Sequence, residues 1–113
     1  MLKIKRAYDK REKTDGYRVL VDRLWPRGIS KRKAGLDAWM KDVAPSQELR
    51  VWFGHDAKRF AAFRKKYLAE LKKNPAAAEL RALCRRRRRV TLVYGARDPR
   101  FNQAAVLMTF LTR

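Results

Sequence analysis

A chain of 113 residues with 30 Lys and Arg against 11 Asp and Glu carries a net charge of +19, which suits one core-sized domain with polyanionic company. A lone cysteine, Cys84, and a lone histidine, His55, exclude an intramolecular disulfide and a zinc site built from four Cys and His ligands. No apolar run approaches the roughly 20 residues that span a bilayer, and Met1–Arg6 lacks the apolar block of a signal peptide, so a cytoplasmic protein without a membrane partner is expected.

Leu2 and Ile4 alternate with Lys3 and Lys5, the pattern of a short strand near a sheet edge. Asp15-Gly16 signals a turn before Val19-Leu20-Val21, whose unbroken apolar run suits a strand covered on both faces. Pro26 and Gly28 end it. Residues Lys31 to Ala44 mix helical and alternating spacing, and a helical turn followed by extended chain is the expectation there. Ser46 caps a helix through Leu49, Trp52 and Phe53 that Gly54 stops, with Trp39 and Trp52 expected as packing residues. Asp56 then caps a longer helix with Phe60, Phe63, Tyr67, Leu68 and Leu71 inward and Arg64, Lys65, Lys72 and Lys73 outward. Asn74-Pro75 starts another helix, which runs into Arg85–Arg89. Val90–Tyr94 reads as a second buried strand, and Asp98-Pro99 as the cap and first turn of a final helix. Strands separated by helices predict a single α/β domain over residues 1–113, three-layer-like, with a short and mainly parallel sheet flanked by helices.

Both apolar strands break abruptly, one into Asp22-Arg23-Leu24-Trp25-Pro26-Arg27-Gly28 and the other into Gly95-Ala96-Arg97-Asp98. Ligands of open α/β sheets sit at the carboxyl ends of the strands, so the two breaks predict one crevice. Asp22 and Arg23 admit two readings there. One makes Asp22 a general base or hydroxyl acceptor and Arg23 a planar fork for phosphate or carboxylate; the other is an internal salt bridge from the strand end to Arg27 or Asp98. Asp22, Arg23 and Asp98 are the candidate catalytic residues, suited to acid-base hydrolysis of a phosphorylated or nucleosidic substrate. Trp25 as a stacking plate, Arg27 and Arg97 as cations, and Tyr94 and Asn102 as hydrogen-bonding groups are the candidate ligand contacts. His55 and Cys84 suit loop and core roles. No phosphate-loop or dinucleotide fingerprint is present, and no cofactor is expected. The expected partner is a phosphate-bearing small molecule. The alternative is a non-enzymatic nucleic-acid-binding or regulatory module that uses Arg85, Arg86, Arg87, Arg88 and Arg89.

Asp15–Gly28, Asp37, Trp39, Lys41, Ala44-Pro45-Ser46, Glu48-Leu49-Arg50, Trp52–Asp56, Tyr67, Glu70-Leu71, Thr91-Leu92 and Asn102-Gln103-Ala104 together resemble the YeaO-like branch of domain-of-unknown-function family 488. The resemblance covers nearly the whole chain and implies a small cytoplasmic bacterial α/β protein. Longer relatives in the wider family look like they carry Asp-x-Arg near the second strand's end, then Cys-x-Glu and Cys-His-Arg after the last strand. This chain has Asp22-Arg23, Tyr94-Gly95-Ala96 and Asn102-Gln103-Ala104 instead. Thiol or metal chemistry therefore does not carry over, and the Asp-Arg pair is what remains.

Overall fold

A computed structural model describes residues 1–113. Strands β1 (Leu2–Arg6), β2 (Tyr17–Leu20), β3 (Ala38–Trp39) and β4 (Val90–Tyr94) form one wholly parallel sheet in the order β1-β4-β2-β3. The last strand in sequence is thus a central one. Val90 pairs with Leu2 on one side and Tyr17 on the other, and every residue of β4 is buried. As its alternating charges predict, β1 lies at an edge.

Five helices accompany the sheet: α1 (Lys31–Ala34), α2 (Gln47–Phe53), α3 (Phe60–Lys72), α4 (Pro75–Arg86) and α5 (Gln103–Leu111). Alternate side chains of the strands serve opposite faces. Val19, Leu92 and Tyr94 pack with Phe63, Tyr67, Leu80 and Leu107 in the main core. On the other face Leu20 and Val93 meet Ala7, Trp25, Ile29, Leu36 and Trp39. The second layer is therefore thin, a loop and the single turn of α1. No helix is long and apolar enough to cross a membrane.

Helix boundaries follow from their caps. Ser46 Oγ accepts from Leu49 N–H at 3.2 Å, and Asn74 Oδ1 accepts from Ala76 N–H at 2.9 Å ahead of Pro75. Asp56 caps a short 3-10 turn, Ala57–Arg59, that leads into α3. The final helix departs from expectation. Asp98 Oδ1 accepts from Arg100 N–H and Phe101 N–H, closing a separate turn, and Asn102 caps α5 instead by accepting from Ala105 N–H at 2.9 Å. Trp52 also departs, because its ring is partly exposed between the cations of Arg59 and Lys66 rather than packed in the core.

The thin face carries one buried ionic cluster. Asp15 accepts from Arg18 Nη1 at 2.6 Å, Lys3 Nζ at 2.9 Å, Lys5 Nζ at 3.0 Å and Glu12 N–H at 3.1 Å. Its carbonyl accepts from Thr91 Oγ1 on β4, and Arg18 Nη2 donates to Ala34 O at the end of α1. Burial alone would favour the protonated acid, yet the cations and the amide hold the carboxyl far below its ordinary range. Replacing Asp15 with Asn leaves buried Arg18 without its counter-charge. Asp15→Asn is expected to lose about 3 kcal/mol of unfolding free energy at pH 7 in a urea titration. A loss below about 1 kcal/mol would show that Lys3, Lys5 and Arg18 have other adequate partners.

Candidate functional site

The chain leaving β2 heads toward edge strand β3, whereas the chain leaving β4 turns into α5, which packs beside β1. The carboxyl ends of these neighbouring strands consequently diverge, and divergence of this kind opens a crevice in a parallel sheet. Val21 N–H still donates to Val93 O at 3.0 Å, so β2 is held in register up to the residue before Asp22.

Asp22 sits where the elements meet. Its Oδ2 accepts from Gly95 N–H at 2.8 Å and its Oδ1 accepts from Gln103 Nε2, the first residue of α5. Its own carbonyl accepts from Trp39 Nε1 at 2.7 Å. The approach is close: a Cβ on Gly95 would lie 3.2 Å from Asp22 Oδ2, a contact the carboxylate would have to ease by a few tenths of an ångström. Burial raises the Asp22 carboxyl to about 6, against the Gly95 hydrogen bond and the Arg50 charge, which both favour the anion.

Around this carboxyl lies a cavity of about 400 Å³, within the range of small-molecule sites. Arg23, Trp25 and Arg27 come to it from the loop after β2, and Arg50 and Phe53 from one face of α2. Gly54 and His55 follow, both in the left-handed region at φ 52° and 57°, and this tight reversal carries the His55 ring to the wall 6.1 Å from Phe53. The Nε atoms of Arg23 and Arg50 are shielded from water and have no hydrogen-bond partner, and neither guanidinium is in an ion pair. Two cations with unspent donors thus face a cavity whose single carboxylate is already occupied by two amides.

Asp22, Arg23, Trp25 and Arg27 are brought together as the strand break implies. Their roles differ from expectation in part. Neither Asp22 with Arg27 nor Arg23 with Asp98 forms a salt bridge; amides hold Asp22. Trp25 is chiefly a wall, stacked edge-on against Trp39 at 5.4 Å and tied through Nε1 to Ile29 O at 2.6 Å. Tyr94 belongs to the main core on the helix face, where burial pushes its hydroxyl up. Asp98 and Asn102 serve the turn and cap before α5, Arg97 is exposed, and none of these lines the crevice. Cys84 is half-buried with its thiol pushed up by burial, despite the arginines that follow it. Arg85–Arg89 lie before the amino end of β4, at the opposite pole from Asp22. Arg50 and Gln103 were not legible as site residues. The available signals were a cation three residues before buried Phe53, and a glutamine directly after the Asn that caps α5.

These features define a small parallel α/β protein with a ligand-sized crevice at a strand-divergence point. The chain belongs to the family described as the Inactive DUF488-N3 subclade, whose model matches residues 1–113. It is 44% identical over 110 residues to the uncharacterised protein YeaO of Escherichia coli K12, covering 97% of this chain and 96% of that one. It is equally 44% identical over 110 residues to the uncharacterised proteins Mb3100c of Mycobacterium bovis and Rv3073c of Mycobacterium tuberculosis, covering 97% of this chain and 92% of each. No solved structure is significantly similar to it.

The raised Asp22 carboxyl has a signed consequence. With a folded value near 6 and an ordinary value of 3.8, the native state holds a proton that the unfolded chain has released between those limits. Stability linked to Asp22 is present below about pH 4 and lost as pH rises through 6, by roughly 3 kcal/mol. Asp22→Asn removes this loss: the difference in unfolding free energy between the variant and the parent should move in the variant's favour from pH 4 to pH 7.5. A difference that stays flat in guanidinium titrations across that interval would place the Asp22 carboxyl near its ordinary value.

Proposed function

We propose that the protein binds a small anionic molecule of nucleotide size in the Asp22 crevice and holds it without turning it over. The observation that carries this reading is the pair Arg23 and Arg50, whose shielded Nε atoms lack partners beside a cavity of about 400 Å³. Both guanidiniums line the cavity without an ion pair, and a phosphate or carboxylate bound there would pair with a guanidinium through its planar fork. Phe53, Phe63 and His55 provide an adjoining apolar and aromatic wall for the ligand's body. Asp22 then positions the site: it ties Gly95 and Gln103 to the end of β2, each of its oxygens accepting one amide hydrogen bond. The description of the subclade as inactive supports binding over turnover. The lone cysteine is in keeping with a reducing cytoplasm as the place where this occurs.

Calorimetry and thermal melting with inorganic pyrophosphate, AMP and uncharged adenosine distinguish this reading. Pyrophosphate or AMP at tenfold its dissociation constant stabilises by about 1.4 kcal/mol, a rise of roughly 5 °C. The rise should persist at 0.3 M KCl, fail with adenosine, and vanish in Arg23→Ala and Arg50→Ala. A rise of equal size in both variants would remove the crevice as the binding site.

A further inference from the structure

Opposite the crevice, at the amino ends of the strands, Gly16, Tyr17, Asp37 and Arg86–Arg89 line an open groove. A run of arginines is ordinarily a solvated tail, but this one is held by its backbone. Arg87 N–H donates to Leu83 O at 3.2 Å, closing α4. Arg88 O accepts from the Met1 ammonium at 2.8 Å, and Arg89 O accepts from Tyr17 N–H at 2.9 Å. Gly16, at φ 65°, lets this segment pass, since a Cβ there would lie 2.4 Å from Arg89 O. The Arg87 guanidinium rests 3.8 Å from the centre of the Tyr17 ring, which fixes one of the long side chains as well.

Arg85–Arg89 are all exposed, and none makes an ion pair with an acidic side chain. Asp37 is the one carboxylate of the groove, and its Oδ2 already accepts from Arg18 N–H at 2.8 Å. Four consecutive cations on an anchored backbone, at a concave site, therefore share a single carboxylate and form no ion pair within the molecule. We propose that this groove binds the phosphodiester backbone of a nucleic acid, with Arg86, Arg87, Arg88 and Arg89 contacting phosphates. A chain of regularly spaced phosphates satisfies several guanidiniums at once, which a single small anion does not. The groove offers Tyr17 as its one apolar side chain, so it lacks the hydrophobic insertion that complements charge on a membrane surface.

The test is fluorescence anisotropy of nucleic-acid-free protein with a labelled 20-nucleotide oligothymidine and a 20-base-pair duplex, from 50 to 300 mM KCl. A variant with Arg86→Gln, Arg87→Gln, Arg88→Gln and Arg89→Gln is compared with a charge-matched control carrying Arg64→Gln, Lys65→Gln and Lys72→Gln on the exposed face of α3 and Lys73→Gln at its carboxyl end. Loss of four phosphate contacts lowers the slope of log K against log salt by about 3, and affinity at 100 mM KCl should fall at least 100-fold on one or both nucleic acids. The α3 control should change the slope by less than 1, and Arg23→Ala should leave it unaltered, which separates this groove from the crevice. Thermal melting verifies that both quadruple variants are folded. Equal losses in the two quadruple variants would overturn the proposal in favour of diffuse charge. An unchanged slope in the groove variant, or groove-dependent binding only to phosphatidylserine vesicles, would also overturn it.

Discussion

The crevice depends on a single carboxylate. Asp22 stands one residue past the last ladder hydrogen bond of β2, and it joins that strand end to the Gly95 amide after β4 and the Gln103 amide at the start of α5. Its carbonyl also receives the Trp39 indole, so the β3 side is tied to the same point. Parallel strands whose connections run in opposite directions open at their carboxyl ends, and they need a fastener there if the opening is to have a fixed shape. Amides serve that purpose because each oxygen gains a donor and neither Arg23 nor Arg50 is drawn into an ion pair. Arg23 and Arg50 are left with their donors unspent.

The remaining charge is distributed with the same separation of roles. Lys3, Lys5 and Arg18 converge on Asp15 and stabilise the thin face of the sheet. Apart from Arg59, no other cation makes an ion pair, so most of the +19 is directed outward. Within that field Arg87, Arg88 and Arg89 lie between α4 and β4 with their backbone fixed by Leu83, the Met1 ammonium and Tyr17. One end of the sheet thus holds a crevice lined by Arg23 and Arg50, and the other an open basic groove. The two make separate demands on the sequence.

Much of the architecture was legible. Val19–Val21 and Val90–Tyr94 are uninterrupted apolar runs, and full burial between two layers is what such runs require. Ser46, Asn74-Pro75 and Gly54 announced helix ends by side-chain and backbone chemistry that acts locally. Asp98-Pro99 has the same signature as Asn74-Pro75 but closes on Arg100 and Phe101, and a second cap four residues later takes the helix. Local pattern does not separate those outcomes. In the site, Asp22, Arg23, Trp25 and Arg27 were legible because they follow a strand end. Arg50 and Gln103 were not, because the rotation of α2 and α5 about their axes is decided by packing against the sheet. The partners of Asp22 were not legible for a related reason: a backbone amide and a glutamine leave no charge pattern, whereas a carboxylate among arginines also suggests an ion pair.

We propose that the unspent donors of Arg23 and Arg50 serve an anion. This is tested most directly by NMR titration of the arginine Nε–H resonances with inorganic pyrophosphate, at a salt concentration high enough to screen exposed charge. Saturable shifts of the Arg23 and Arg50 signals with one common affinity are expected, while the Arg86–Arg89 signals move little. Shifts confined to the exposed arginines, or a uniform drift of all of them without saturation, would contradict it.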